Sequence, residues 1–260
     1  MSRNPNPDEI LKLARLNEKE GNYTQSADLY RNAAALFGQK GKFKKQVEAL
    51  LSLAQLLDWY LSDYEGALST YQEALGIIEE RDLPGRCRAF YGMAVQEYFL
   101  GHIDDALVHS KEALKFAETE KDDFVKSLTY TLLGDILVQR GKLEEAQVVL
   151  ESSKKIAERK GWDALRGRAL SSLGLLYAEM GELDLAKLYL KEAIEVAEEV
   201  GDRSLEGTAY VRLGITYLIA GQDYEAREWL NRGKKIAEET GMKILKEEAE
   251  DYLEQLEEPF

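Results

Sequence analysis

The sequence has little of what a disulfide or a metal site needs. Its 260 residues include one cysteine, Cys87, and two histidines, His102 and His109. A single thiol forms neither an internal disulfide nor a multi-cysteine zinc site, and two imidazoles without further ligands do not make a histidine-rich centre. We therefore expect no metal and no cofactor. We interpret Cys87 as a small helix-packing residue, with a thiol activated by the flanking arginines as the alternative.

Proline and long apolar runs are scarce as well. Three of the four prolines, Pro5, Pro7 and Pro259, lie near the ends, so the interior is almost free of helix breakers. This predicts an all-α chain. No run approaches the roughly 18 apolar residues of a membrane-spanning helix, and residues 1–9 lack the apolar core of a signal peptide. We expect a cytoplasmic protein.

Positive charge is in deficit, and what there is lies unevenly along the chain. The 34 Lys and Arg residues face 48 Asp and Glu, a net charge of −14, which argues against nucleic acid and anionic membranes as partners. Residues 1–60 are slightly basic, so the rest carries the whole acidic excess and favours a basic partner. The one dense basic cluster is Lys40, Lys42, Lys44 and Lys45. It is either a solvated loop or a contact for an acidic partner or a second copy, so self-association stays open.

Glycine, by contrast, recurs on a fixed period. Gly101, Gly141, Gly181 and Gly221 lie 40 residues apart, Gly21 falls on the same series, and Leu61 and Ser62 stand where a member is missing. A second series follows 20 residues later: Gly41, Gly161, Gly201 and Gly241. Two glycines per 40 residues predict two helices per repeat, each ended by a residue with a left-handed backbone.

Side chains keep the same period. Seven residues before each reference position only alanine or glycine occurs: Ala14, Ala54, Ala94, Gly134, Gly174 and Gly214. A small residue there lets a second helix approach closely. We predict one domain, 1–260, of six helical hairpins, over about 7–41, 47–82, 87–121, 127–161, 167–201 and 207–241. A capping helix over 242–257, apolar on one side and acidic on the other, completes the stack.

The pattern resembles the tetratricopeptide repeat (TPR) family. The resemblance is clearest in Leu173-Gly174 with Tyr177, Gly181, Leu183 and Ala186. The 40-residue repeat is similar to the Leu-Gly-Asn repeats of spindle-orientation scaffolds, to kinesin light chains and to bacterial peptide-pheromone receptors. It implies a right-handed α-solenoid whose first helices line a concave groove. The asparagine of that group is absent, so its grip on a peptide backbone is not carried over.

Each predicted first helix carries a second stripe at 3–4–3 spacing, on a face distinct from the one that meets the second helix. Here we predict binding of an apolar or amphipathic partner segment of basic character. The candidate residues are Arg88, Tyr91, Val95, Tyr98, Phe99, Thr131, Asp135, Val138, Arg168, Ser171, Leu175, Val211, Ile215 and Leu218. The alternative is that they simply pack neighbouring first helices together.

The sequence shows no pattern for catalysis. No Gly-rich phosphate loop, His-Glu-x-x-His pair or Ser/His/Asp grouping stands out. We predict a non-catalytic scaffold or adaptor that binds a peptide or helical segment of another protein. The alternative is a sensor in which a peptide or small ligand changes the pitch of the superhelix.

Overall fold

The computed structural model describes residues 6–256, and all regular structure within this range is α-helical. The thirteen helices of the described range are α1 (Pro7–Lys19), α2 (Tyr23–Gln39), α3 (Phe43–Leu61), α4 (Tyr64–Glu80), α5 (Arg86–Phe99), α6 (Ile103–Glu120), α7 (Asp123–Gln139), α8 (Leu143–Lys160), α9 (Asp163–Glu179), α10 (Leu183–Val200), α11 (Arg203–Ile219), α12 (Asp223–Thr240) and α13 (Lys243–Gln255). Odd-numbered helices up to α11 are the first helices of six hairpins, and even-numbered helices are the second. The predicted all-α architecture is confirmed.

Four first helices have N-terminal ends that differ from the prediction. The first helices of hairpins two, four, five and six begin four residues earlier than expected, at Phe43, Asp123, Asp163 and Arg203. Val125, Leu165 and Leu205 lie in this extra turn and are buried, so the turn belongs to the core. The capping helix is Lys243–Gln255. Residue 257, the last of the predicted cap, lies outside the described residues.

The chain divides into two compact units, Met1–Val125 and Lys126–Phe260. Unit 1 holds α1 to α6 and the first turn of α7. Unit 2 holds the rest of α7 through α13. The single continuous domain stays a prediction.

Left-handed residues end the helices even where glycine is missing. The glycines of both series have φ between +66° and +79°. At the vacant positions Ser62, Asp82 and Lys121 adopt φ of 50°, 48° and 57°. A non-glycine residue in this region costs roughly 1–2 kcal/mol. The periodic turn geometry is therefore kept at all of these positions.

Hairpin interiors in unit 2 depend on glycine. A Cβ on Gly174 would lie 2.4 Å from Cγ of Leu190, and Gly134 and Gly214 meet Leu150 and Leu230 in the same way. All three leucines are fully buried. In unit 1 the small residue is alanine instead, and the residues at the leucine position are Tyr30, Tyr71 and Ser110.

First helices of neighbouring hairpins also contact one another. In unit 1 α3 meets α5, and in unit 2 α11 meets both α9 and α13. The outer face of this first-helix layer is where the candidate binding residues fall. We call it the first-helix face of each unit.

Candidate binding surfaces on the first helices

In unit 1 two candidate residues of α5, Tyr98 and Phe99, are in ring contact, whereas Tyr91 packs against the cluster of Cys87 and Val125. Phe99 is exposed, and Tyr91, Val95 and Tyr98 are half-buried. The Phe99 ring lies edge-on to Tyr98, with centroids 5.8 Å apart, and stacks on Tyr64 of α4 at 5.4 Å. These rings are held in place by one another while part of their surface faces water.

Arg88 and Arg168 have a role that the sequence did not suggest. Nη2 of Arg88 lies 3.1 Å from Oδ2 of Asp122, and Nη2 of Arg168 lies 2.7 Å from Oδ2 of Asp202. Each aspartate also accepts a hydrogen bond from the first turn of the following first helix, at Val125 and Leu205. Both arginines thus tie one first helix to the start of the next within the same unit. Their charges are already matched by carboxylates.

Three candidate residues of unit 2 are buried. Val138 and Ser171 have almost no exposed surface, and Val211 has none. Val211 packs with Leu230 and Leu245 in a cluster that joins α11, α12 and α13. For these three residues the prediction of a partner contact is corrected: they pack helices together, as the alternative interpretation had it.

Five other candidate residues of unit 2 are half-exposed: Thr131, Asp135, Leu175, Ile215 and Leu218. Leu175 of α9 and Ile215 and Leu218 of α11 are partly exposed, and we call these three residues the aliphatic strip. Ile215 also packs against the cluster of Val211 and Leu245, and Ile219 is exposed. Thr131 on α7 is tied inward, because its Oγ1 lies 2.9 Å from Oγ of Ser153. The strip is the apolar part of this face.

A polar network lies on the same face. Arg212 of α11 donates from Nη2 to Oδ2 of Asp135 on α7 at 3.1 Å, and from Nη1 to Oγ of Ser171 and of Ser172 at 3.2 Å each. The two serines are small enough for the arginine to cross α9 and reach the carboxylate beyond it. The other carboxylate oxygen, Oδ1 of Asp135, is buried and accepts no hydrogen bond from the described residues.

Helix α13 brings a second carboxylate towards Arg212. Partial removal of water raises the pKa of Glu248, the positive charge of Arg212 opposes the rise, and Asp251 adds to it. Sequence reasoning missed Arg212 because its register position is not repeated. The corresponding residues are Lys12, Ser52, Gly92, Leu132 and Ser172.

Unit 1 has a carboxylate that, unlike Asp135, is not paired with an arginine. Burial raises the pKa of Asp58 on α3 to about 6, and the nearby amide of Gln96 on α5 only partly opposes the rise. Gln96 itself is fully buried. No lysine or arginine of the described range forms an ion pair with Asp58.

Cys87 is a packing residue. It is buried with Ala117 and Val125. Burial, followed by the adjacent Glu120 carboxylate 3.1 Å from Sγ, raises the pKa of the thiol. The reactive thiolate considered from the sequence is contradicted.

The histidines and the lysine cluster have local partners. Nδ1 of His109 lies 2.7 Å from Oε2 of Glu97, and the ring stacks on Phe90. Within residues 6–256 no group of three or more His, Cys, Asp or Glu is arranged to hold a metal ion. Lys42 and Lys45 both pair with Asp8, which accounts for part of the basic cluster. None of the helices in this range is long and apolar enough to span a membrane.

Comparison with solved structures shows the fold. A Rap protein complexed with competence and sporulation factor is 18% identical, with a TM-score of 0.66 over 95% of this chain and 72% of that chain. NprR with its cognate peptide NprX is 15% identical, with a TM-score of 0.69 over 90% and 67%. A thermophilic TPR protein of Thermus thermophilus is 23% identical, with a TM-score of 0.59 over 78% and 98%. The predicted fold class, an all-α solenoid of TPR hairpins, is confirmed.

Comparison of sequences gives the family. No curated protein matches the chain. The sequence profile of the MalT-like TPR region, however, matches residues 53–253, which is most of the chain. The resemblance to TPR proteins is therefore confirmed, and the chain belongs to the family of MalT-like TPR regions.

Proposed function

We propose that the chain is a non-catalytic, cytoplasmic adaptor whose unit 2 holds a peptide or helical segment of another protein on its first-helix face. The observation that carries this proposal is the aliphatic strip of Leu175, Ile215 and Leu218 beside the Arg212–Asp135 pair. An apolar strip supplies the buried contact of a binding site, and a few fixed polar groups set the orientation of the bound chain.

The comparisons support a peptide as the occupant. NprR, which has the same fold, was solved with its cognate peptide NprX bound, and the Rap protein was solved in complex with competence and sporulation factor. The acidic excess of the chain beyond residue 60 favours a segment of basic character. In unit 1 the half-exposed face of α5, with Tyr91, Val95, Tyr98 and Phe99, offers a second contact of the same general type.

A peptide sensor is the second candidate function, and the Arg212 network favours it. Arg212 spans α9 to reach Asp135, so a cationic ligand group that paired with Asp135 instead would release α11 from α7. Small-angle scattering separates the two functions. A sensor changes its radius of gyration on binding, because the pitch of the superhelix changes, whereas a scaffold keeps its radius of gyration.

Peptides selected from a random display library on the immobilised chain provide the test. We expect Leu175→Glu to weaken the selected peptides by about 10-fold or more, because a charge replaces an apolar contact. The matched control is Leu188→Glu, on an exposed position of α10 away from the first-helix face. It should bind as wild type does. Equal binding by both variants, with unchanged circular-dichroism melts, would contradict the proposal.

A further inference from the structure

One end of unit 1 carries six aromatic side chains, which we call the aromatic edge. They lie at the turns inside the hairpins, where first helices end and second helices begin: Tyr23, Trp59, Tyr60, Tyr64, Tyr98 and Phe99. Tyr23 and Tyr60 stack with ring centroids 4.1 Å apart. Phe99 contacts Tyr64 and Tyr98, as described above. The edge is thus built from all three hairpins of the unit.

Much of the aromatic edge faces water. The exposed fraction is 66% for Trp59 and 44% for both Tyr60 and Phe99. Trp59 and Phe99 occupy the same register on neighbouring first helices, where unit 2 has Gln139, Glu179 and Ile219. The repeat therefore does not require a ring at this position. Exposed apolar surface of this kind marks an interaction site.

The charge around the aromatic edge is almost entirely negative. The three turn segments, 16–24, 57–66 and 97–105, contain one lysine, Lys19, and eight carboxylates: Glu18, Glu20, Asp58, Asp63, Glu65, Glu97, Asp104 and Asp105. The lysine cluster of residues 40–45 lies at the opposite end of the helices, in the connection between α2 and α3 and the first turn of α3. The two ends of unit 1 therefore differ in sign.

We propose that the aromatic edge binds a basic segment of a partner protein, with an arginine side chain stacked on the indole of Trp59. A guanidinium is planar and weakly hydrated, so it stacks on an aromatic face and still pairs with a nearby carboxylate. The acidic turn segments described above supply carboxylates for such a pair. The inference rests on the proposed protein-binding function and adds the place and chemistry of a contact in unit 1.

The test is a fluorescence-anisotropy titration of the full chain with a labelled synthetic peptide of repeated Leu-Ala-Arg triplets. We expect Trp59→Ala to raise the Kd by about 10-fold and Trp59→Lys to raise it further. The control is Tyr224→Ala in unit 2, which removes an aromatic ring that is 81% exposed and should leave the Kd unchanged. Replacing each arginine of the peptide by citrulline, which keeps the shape without the charge, should remove most of the binding.

Several results would overturn the inference. They are the same Kd for wild type and Trp59→Ala, equal binding of the citrulline peptide, or no binding of the arginine peptide by wild type. Trp59 is largely exposed, so circular-dichroism melts of its variants should match wild type. The same titration with Leu175→Glu keeps the two proposals apart. Binding that depends on Trp59 and not on Leu175 supports the aromatic edge as a binding site, even if the proposed site on unit 2 is wrong. Binding that depends on Leu175 and not on Trp59 contradicts the aromatic edge alone.

Discussion

The two units build the same hairpin from different residues. In unit 2 every hairpin packs a leucine of the second helix over a glycine of the first, as Leu190 does over Gly174. In unit 1 alanine replaces the glycine, and the facing residue is a tyrosine or, in the third hairpin, Ser110. The hairpin thus tolerates interiors of different size and polarity. Unit 2 has the more uniform core.

The faces of the units differ in how their charges are matched. Asp135 of unit 2 is paired with Arg212 across a helix, whereas Asp58 of unit 1 lies beside a buried amide and has no cationic partner in the described range. Unit 2 therefore has a preassembled polar network next to an aliphatic strip. Unit 1 has unmatched negative charge next to exposed rings. The two faces thus differ in the surface chemistry that they offer.

The largest effect on the free energy of unfolding is expected from substitutions in the hairpin interiors, where the two units differ. Leu190→Ala should lower the free energy of unfolding by about 2–5 kcal/mol, because it leaves a cavity over Gly174 in a core that cannot collapse. Ser110→Ala, at the same register in unit 1, should be neutral or slightly stabilising. Its hydroxyl is buried without a hydrogen-bond partner among residues 6–256. Urea denaturation followed by circular dichroism measures both.

Substitutions of the two aspartates should change the free energy of unfolding by less, and in opposite directions. At pH 7 Asp135→Asn should lower the free energy of unfolding by about 1–3 kcal/mol, because Arg212 loses its ion-pair partner. Asp58→Asn should raise it by about 1 kcal/mol, since it removes a charge that burial disfavours.

The effect of Asp58 depends on pH. Its pKa of about 6 in the fold lies above the ordinary 3.8, so the folded state keeps a proton that the unfolded chain has already released. The contribution of Asp58 to the stability of the wild type therefore falls as the pH rises from about 4 to about 6. The advantage of Asp58→Asn should be present at pH 7 and vanish below about pH 4. A constant difference across this range would show that the charge of Asp58 is not the cause.

Much of the fold could be predicted from the sequence because glycine, leucine and alanine recur at a fixed period. The period marks where helices end, since a left-handed residue is needed there, but not where they begin. The first turns of α7, α9 and α11 were missed for that reason, although Val125, Leu165 and Leu205 are apolar. Ser62, Asp82 and Lys121 were also not predictable as left-handed residues, because only the turn on either side imposes that conformation.

The candidate site was less accessible to sequence reasoning. Register alone does not separate a half-exposed position such as Leu175 from a buried one such as Val211, because helix rotation within the stack decides which faces water. Arg212 occurs once, in a position where other hairpins have Lys, Ser, Gly or Leu. Its role depends on a carboxylate 77 residues away in the chain. No periodic pattern contains that information.

The most direct measurement of the central claim is hydrogen exchange of the full chain with and without a peptide selected on it. Binding on the first-helix face of unit 2 predicts slower amide exchange in α9 and α11, with exchange in α10 and α12 little changed. Protection confined to α10 and α12, or equal protection of all four helices, would contradict the account.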